Sequence, residues 1–511
     1  MYIPNPKKIL FPAMKLWSVI VCLAFSTPCL AQIQQAWAVH YNNGITNGQH
    51  QAIKMALGTD GYVYVCGLSE NANSNQDYAV WKYAPNGKLL WVSRLDSTNV
   101  PQAKPTAFSL DASNNSVITG NAGTVKFDAN GNKVWTVSYA GLTVATDSGS
   151  CAYVGGYSQD FGVTKLSPNG SNLWATSYVD AGGPTISQSV LVDSQTNIYV
   201  SGLDSYYNPS RGPPGPYVHL TTIKYDSSGR SVWTASNAPS PQNTKVTIQG
   251  AAIDSGNGIC IAAYFENLDD IVVYDYGVDG NLAWDNNGPD PHVGIDTVHG
   301  LQFGSSNRLI LAGQFAYFGP NYSYGVHAYG TYMADTNGSW LWTSFFPAVG
   351  PAPPSSALAL ALDSANNSYV TGYSPLWGTS NDIVTIAYDT NGKQLWLQRY
   401  DGPAHGDDEG NAIAVDTNGN VYVAGYETPI GGGTEMVLIK YSLVTARHEA
   451  NGNFQLEAQG AANEPFDIRA TTNLSTWQDL GLFDADTNGL LQFLDTNASQ
   501  YNSRFYLAIP Q

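Results

Sequence analysis

Basic side chains are scarce in this chain. There are 22 Lys and Arg against 40 Asp and Glu, a formal net charge of −18 at pH 7. A surface that acidic repels a phosphate backbone, so nucleic acid is excluded as a partner. Cysteine is equally sparse. Two of the five, Cys22 and Cys29, precede residue 32, which leaves Cys66, Cys151 and Cys260 as an odd, scattered set. That spacing is neither a disulfide framework nor a zinc site, and it predicts buried, inert thiols. No stretch after residue 31 stays apolar for long enough to span a bilayer, so no transmembrane segment is expected. The eight histidines include no HExxH and no paired spacing for a metal. No GxSxG, P-loop or dinucleotide fingerprint lies where a strand would support it.

What the chain does have begins at its N-terminus. Lys7, Lys8 and Lys15 precede an apolar run from Leu16 to Phe25 and the small residues before Ala31. This is the layout of a secretory signal peptide over residues 1–31. Its removal leaves 19 basic residues against 40 acidic ones, a net charge of −21. The expectation is a soluble protein that is exported, either secreted or held at the cell surface, and works as a monomer.

The dominant signal is repetition. A tryptophan follows a tight turn seven times: PNGKLLW to Trp91, ANGNKVW to Trp135, PNGSNLW to Trp174, SSGRSVW to Trp233, VDGNLAW to Trp284, TNGSWLW to Trp342 and TNGKQLW to Trp396. The Asn-Gly, Asp-Gly and Ser-Gly pairs predict two-residue hairpin turns. A second marker, a short apolar strand ending near Gly, occurs eight times, from VYVCGL to VYVAGY. The last copy, 408–441, has no tryptophan strand of its own, whereas Ala36–Tyr41 near the N-terminus carries Trp37 without a repeat. If that strand completes the last repeat, the array closes into a ring with no free edge. The predicted fold is all-β: an eight-bladed β-propeller over 32–447, falling to seven blades if the short repeats 103–141 and 142–180 merge. After Tyr441 the pattern stops. Residues 442–451 read as a linker and 448–511 as a small β-sandwich-like module.

These motifs resemble the bacterial SBBP-type β-propeller repeat. Residues 399–441 carry it most closely, as RYDGPAHGDDEGNAIAVDTNGNVYVAGY followed by VLIKY, and 361–400 carry it well. The resemblance implies a propeller with a secreted or surface location and brings no common catalytic residues. Phe466–Trp477 and Arg504–Leu507 resemble a C-terminal β-module found on secreted proteins of environmental bacteria, which implies a sorting, anchoring or accessory role.

Loops between second and third strands vary in length, and variable loops on a rigid frame are the usual place for binding. Three are rich in aromatics, with Tyr206, Tyr207 and Tyr217 in one, Tyr317, Tyr322 and Tyr324 in another, and Trp377 in a third. Such rings suit stacking on sugars, and equally suit packing the insertions onto the propeller. An acid recurs near the start of the third strand, as Asp77, Asp160, Asp270, Asp382 and Glu435. It reads first as a structural cap, and second as a cation-binding ring in which calcium would be the ion. No other cofactor is expected. His405 stands beside Asp407, Asp408 and Glu409 in one crossing, an arrangement that a general acid–base pair would need. The resulting expectation is a non-catalytic binding or scaffold protein with a glycan or protein ligand. The alternative is a propeller enzyme, such as a polysaccharide lyase or quinone-dependent dehydrogenase, working at the central channel.

Overall fold

A computed structural model describes residues 32–510 apart from 97–99, 101, 157–160, 179–185, 207–216, 238–245, 267–269, 288–296, 318–325, 347–354, 376–379, 449–451, 461–462, 473–475 and 502–503. Its repeating unit starts from turn chemistry. In the turn after Tyr388, the Asp389 N–H donates to Lys393 O at 2.9 Å and the Gly392 N–H to Asp389 O at 3.0 Å. Asp389 Oδ1 accepts from the N–H groups of Asn391 and Lys393. Only Gly392, at φ 79°, is left-handed here. The expected two-residue turn is therefore corrected to a longer one, with its extra residue absorbed as a bulge between Ala387 and Tyr388.

The same glycine explains the tryptophan. A Cβ on Gly392 would lie 2.6 Å from the Trp342 ring of the preceding blade. Equivalent contacts join Gly131 to Trp91, Gly229 to Trp174 and Gly338 to Trp284. The NG…W signature thus records one contact, the turn of one blade laid on the tryptophan of the last. It counts blades because it joins them.

Seven four-stranded antiparallel meanders, over 50–95, 105–137, 143–178, 186–237, 246–287, 297–346 and 356–400, form blades one to seven. Repeats 103–141 and 142–180 each form a complete blade, which settles the count. Blade eight takes Glu409–Val415, Val421–Glu427 and Glu435–His448, and its fourth strand is the N-terminal Gln32–Tyr41. The molecule is an eight-bladed β-propeller closed by its N-terminal strand. Lys440 Nζ donates to Pro85 O at 3.2 Å and Asn411 Nδ2 to Ala52 O at 3.0 Å, joining blade eight to blade one. First strands carry a one-residue bulge, for example between Gly410 and Ala412. Opposite it a Cβ on Gly425 would lie 1.8 Å from Glu409 O, which is why the second-strand marker ends in glycine.

Blades face one another across apolar layers, so second strands are buried along most of their length, as in Val63–Glu70. Cys260, Ala262, Ile271 and Val273 of blade five pack with Val298, Leu301, Leu309 and Leu311 of blade six. Cys66 and Cys260 are buried and Cys151 is half-buried, so the expectation of a buried thiol is corrected at Cys151; all three are free.

The described chain divides into two compact units, Ala38–Lys440 and a second made of the residues from Tyr441 onward together with residues 32–37. No linker loop occupies 442–448, because Glu435–His448 is one strand. In the second unit, Phe454–Gln459 pairs with the end of that strand and with Leu490–Asp495. A separate sheet runs in the order Gln478–Asp484, Pro465–Thr471, Phe505–Pro510. Phe454, Leu456, Phe466, Ile468, Leu491, Phe493 and Tyr506 share one core. Among the described residues no helix is long and apolar enough to cross a membrane.

Candidate functional site

Meander topology places the first-to-second and third-to-fourth turns at one end of each blade, and the second-to-third loops and crossings at the other. At the short-turn end an acid, a tyrosine and a lysine recur. In blade one, Asp60 Oδ2 accepts from Tyr64 Oη and from Lys82 Nζ, both at 2.9 Å. Lys82 Nζ also donates to Ala129 O of blade two, as does Trp91 Nε1, each at 3.2 Å. Blade four repeats this with Asp193, Tyr199, Lys224 and Trp233, the last two reaching Val278 O of blade five. Such a triad could be mistaken for catalytic machinery. Its recurrence, and its bonds to the next blade, make it a latch.

Blade five breaks the pattern. Asp275 stands where blades one to four have lysine, and Cys260 where blades one, three and four have tyrosine. Asp275 is the cross-strand partner of both Cys260 and Trp284. Burial, and then the charge of Asp254, push its carboxyl up to about 6. Asp275 Oδ1 and Trp284 Nε1 are both buried without a partner.

At the other end the aromatic candidates divide. Tyr207, Tyr322, Tyr324 and Trp377 lie outside the described residues, as does Asp160. Tyr206 and Tyr217 are register partners at the outer end of blade four, and Tyr317 ends the second strand of blade six; only their backbones are described. All three loops leave from the second-to-third end of their blades.

The recurrent acids are met separately, each by its own surroundings. Asp77 accepts from Asn71 Nδ2 at 3.2 Å, Asp270 Oδ1 from the Ile271 N–H at 2.7 Å, and Glu435 from Asn42 Nδ2 at 2.5 Å. Asp382 is paired with Arg399 at 2.7 Å, and the same guanidinium bonds Ser374 O.

Around blades seven and eight these acids join a larger band, centred on the crossing after Tyr400. Buried Asp408 accepts the Gly402 N–H at 2.6 Å and the Thr428 N–H at 3.0 Å. Buried Glu427 binds His40 Nδ1 at 3.0 Å and accepts from Tyr400 Oη. A Cβ on Gly402 would lie within 3.1 Å of both the Asp408 and the Glu427 carboxylates, so only glycine lets them approach. Within each of two groups, His40–Glu427–Glu435 and Asp382–Asp401–Asp408, the ligand-type atoms lie within 4.8 Å of one another. Arg399 already brings positive charge to the second, and in the first the bond to Glu427 raises the pKa of His40. His405, which is exposed, pairs with Asp401 at 2.6 Å, and that hydrogen bond raises its pKa. The sequence placed it beside Asp407, Asp408 and Glu409; the residues it missed are Asp401, His40, Tyr400 and Glu427. Their signal is weak, since they come from different strands and the crossing.

Burial pushes Asp408 up to about 6; its two N–H bonds oppose this, and Glu427 and Asp401 reinforce it. A folded value above the usual 3.8 means the native state binds this proton first, so the crossing gains stability as pH falls from 7 towards 4. Asp408→Ala is expected to cost about 2 kcal/mol at pH 5, where two acceptor bonds are lost. The cost should be smaller at pH 7.5, where removing a buried charge beside Glu427 compensates. Urea unfolding at both pH values checks this, and a larger cost at pH 7.5 would contradict it.

The central axis is walled by the first strands. Among their described residues the ionisable side chains are His50, Lys54, His299 and Glu409. Burial lowers the pKa of His299, and the positive charge of Lys54 lowers it further. The charge that acts on His299 is thus that of a cation and disfavours its protonated form.

The family model for the SBBP β-propeller repeat matches residues 399–426. No curated protein matches the chain. Among solved structures, a protein of unknown function from Dyadobacter fermentans is 9% identical with a TM-score of 0.39, covering 80% of this chain and 99% of its own. A gluconolactonase from Xanthomonas campestris is 11% identical with a TM-score of 0.31, covering 80% and 100%. A point mutant of the NanB sialidase from Streptococcus pneumoniae is 11% identical with a TM-score of 0.36, covering 80% and 70%.

Proposed function

We propose that this β-propeller repeat protein is an exported, monomeric binding protein that takes a glycan on its variable loop face without transforming it. One observation carries the reading. The chemistry-bearing residues that recur from blade to blade are used in latches and caps, while the aromatics that do not recur fall, in sequence, at or beyond the facing ends of the second and third strands of blades four, six and seven. Planar rings beside Asn, Asp and Tyr hydroxyls offer stacking surface and rim hydrogen bonds, which a pyranose uses and a protein surface uses less selectively. The C-terminal unit acts in attachment or sorting.

A glycan-array screen of the full chain, with and without calcium, tests this. Binding is expected to fall roughly tenfold in Trp377→Ala or Tyr322→Ala, with the thermal midpoint unchanged. Binding that disappears in chelator would move the ligand to the Asp382–Asp408 band as a calcium site. Turnover of a bound polysaccharide would restore the enzyme alternative.

A further inference from the structure

We infer that the C-terminal unit carries its own small binding site for a neutral sugar, separate from the propeller loops. The three-stranded sheet Gln478–Asp484, Pro465–Thr471, Phe505–Pro510 is open at one end, where the middle strand gives out after Thr471. A cavity of about 290 Å³ lies there, lined by Thr471, Thr476, Trp477, Gln478, Tyr501 and Arg504 among others. That volume is near the lower limit for ligand pockets and suits one sugar ring better than an extended chain.

The lining is built rather than accidental. Arg504 is 4% exposed, and its Nη1 pairs with Asp495 Oδ2 at 2.8 Å. Its Nη2 donates to Gln478 Oε1 at 3.2 Å, and its guanidinium lies 4.3 Å from the centre of the Tyr501 ring. Tyr506 Oη bonds the same Asp495 oxygen at 2.8 Å, which anchors the network in the core of the unit. Tyr501 is therefore held by a stacked cation yet stays 39% exposed. Trp477 is half-buried in the same lining, and Gln478, its carbonyl engaged by Arg504, has its amide donors left for a ligand.

Charge narrows the ligand class. The Arg504 charge is already balanced by Asp495, so the cavity has no spare cation to attract a phosphate or carboxylate. Two aromatic rings with the Gln478 amide at the rim match a molecule with apolar C–H faces and a hydroxyl edge. A neutral pyranose has that form. An apolar ligand would cover the Gln478 amide without pairing it, at a cost in binding.

The test uses the full chain and a panel of neutral oligosaccharides of glucose, xylose, mannose and N-acetylglucosamine, with oligogalacturonate as the acidic comparison. Saturation-transfer NMR should detect at least one neutral ligand, with affinity falling roughly tenfold in both Trp477→Ala and Tyr501→Ala. Hydrogen–deuterium exchange gives a readout that needs no variant: the ligand should protect the segments from 476 to 484 and from 501 to 507. Three results would overturn the inference. They are no neutral ligand protecting those segments, tighter binding of the acidic oligosaccharide, or affinity lost in Trp377→Ala but unchanged in Trp477→Ala. The last would leave the propeller reading standing, and loss in Trp477→Ala alone would do the reverse, so the two proposals fail separately.

Discussion

Lys126→Ala is expected to cost about 3–5 kcal/mol of propeller stability at pH 7, the largest effect of any single substitution considered. Lys126 Nζ lies 2.7 Å from Asp111 Oδ2 with the two side chains only 2% and 0% exposed, and it also donates to Ser150 O of blade three at 3.1 Å. Alanine would leave the Asp111 carboxylate buried without its counter-ion and the Ser150 carbonyl without this donor. In the native protein burial pushes the Asp111 pKa up, but the bonds from Lys126 and Asn115 outweigh it and hold the value below the usual range. Without Lys126 the burial effect is opposed only by the turn's own bonds, so the penalty should shrink as pH is lowered and Asp111 takes a proton. Chemical unfolding at pH 7 and pH 4.5 measures both parts. A cost below about 1 kcal/mol at pH 7 would mean the latch is no better than a surface ion pair.

The other blades supply natural comparisons for that result. Blade six has Gly304, Ile310 and Met333 at the positions of acid, tyrosine and lysine, so both charges are missing together and neither is stranded. Replacing a buried pair by apolar groups is often neutral, whereas removing one partner is not. Blade five has kept Asp254 and exchanged lysine for Asp275, which leaves two acids facing one another. Asp275→Lys should therefore stabilise the protein, reversing the sign seen for Lys126→Ala on the same structural position.

Why the fold can be read so fully from the chain, and the latches cannot, follows from where each contact lies. The NG…W signature is local in spelling, even though its contact spans two blades, and the Gly–Trp packing forces both residues to recur together. The turn type is misread from sequence because Asn-Gly suits a two-residue hairpin in isolation. Here Asp389 Oδ1 caps two N–H groups and selects the longer turn. A linker is misread at 442–448 because Ser442 and Leu443 break the apolar rhythm while the backbone continues as strand to His448. Asp–Lys latches join residues 15 apart in blade two, as Asp111 and Lys126, and 31 apart in blade four, as Asp193 and Lys224, so no fixed spacing reveals them. Equal positions of the recurrent acids suggest equal roles. Their partners come from unlike neighbours, an arginine on the fourth strand for Asp382 and an asparagine beyond the N-terminal strand for Glu435. A repeat therefore discloses what every blade does alike, and a binding site is what one blade does differently.

Lowering the pH from 7 to about 4 should destabilise blade one by about 3 kcal/mol through His50 alone. The ring is 1% exposed, with Nδ1 2.8 Å from Ser69 Oγ, Nε2 without a partner, and Tyr41 edge-on at 5.8 Å. Burial, and then the charge of Arg94, depress its pKa to about 4, against an ordinary 6.5. A folded value below the unfolded one means the unfolded chain takes the proton first, so stability is intact above 6.5 and is lost as pH falls through the interval to 4. Asp408 and Asp275 shift the opposite way, gaining stability over much of the same interval, so the total profile of the protein would hide the histidine. The difference between the native protein and His50→Asn isolates it, because the amide keeps a partner for Ser69 and does not titrate. Location gives a second readout. His50 N donates to Thr434 O at 3.0 Å, and Arg94 bonds Tyr41 Oη at 2.8 Å, so this histidine stands at the seam where blade eight meets blade one. Amide exchange should therefore accelerate first in 38–41 and 435–440 as pH falls, and not in blades four or five. Equal acceleration around the ring would show that acid acts on the propeller as a whole and not through its closure.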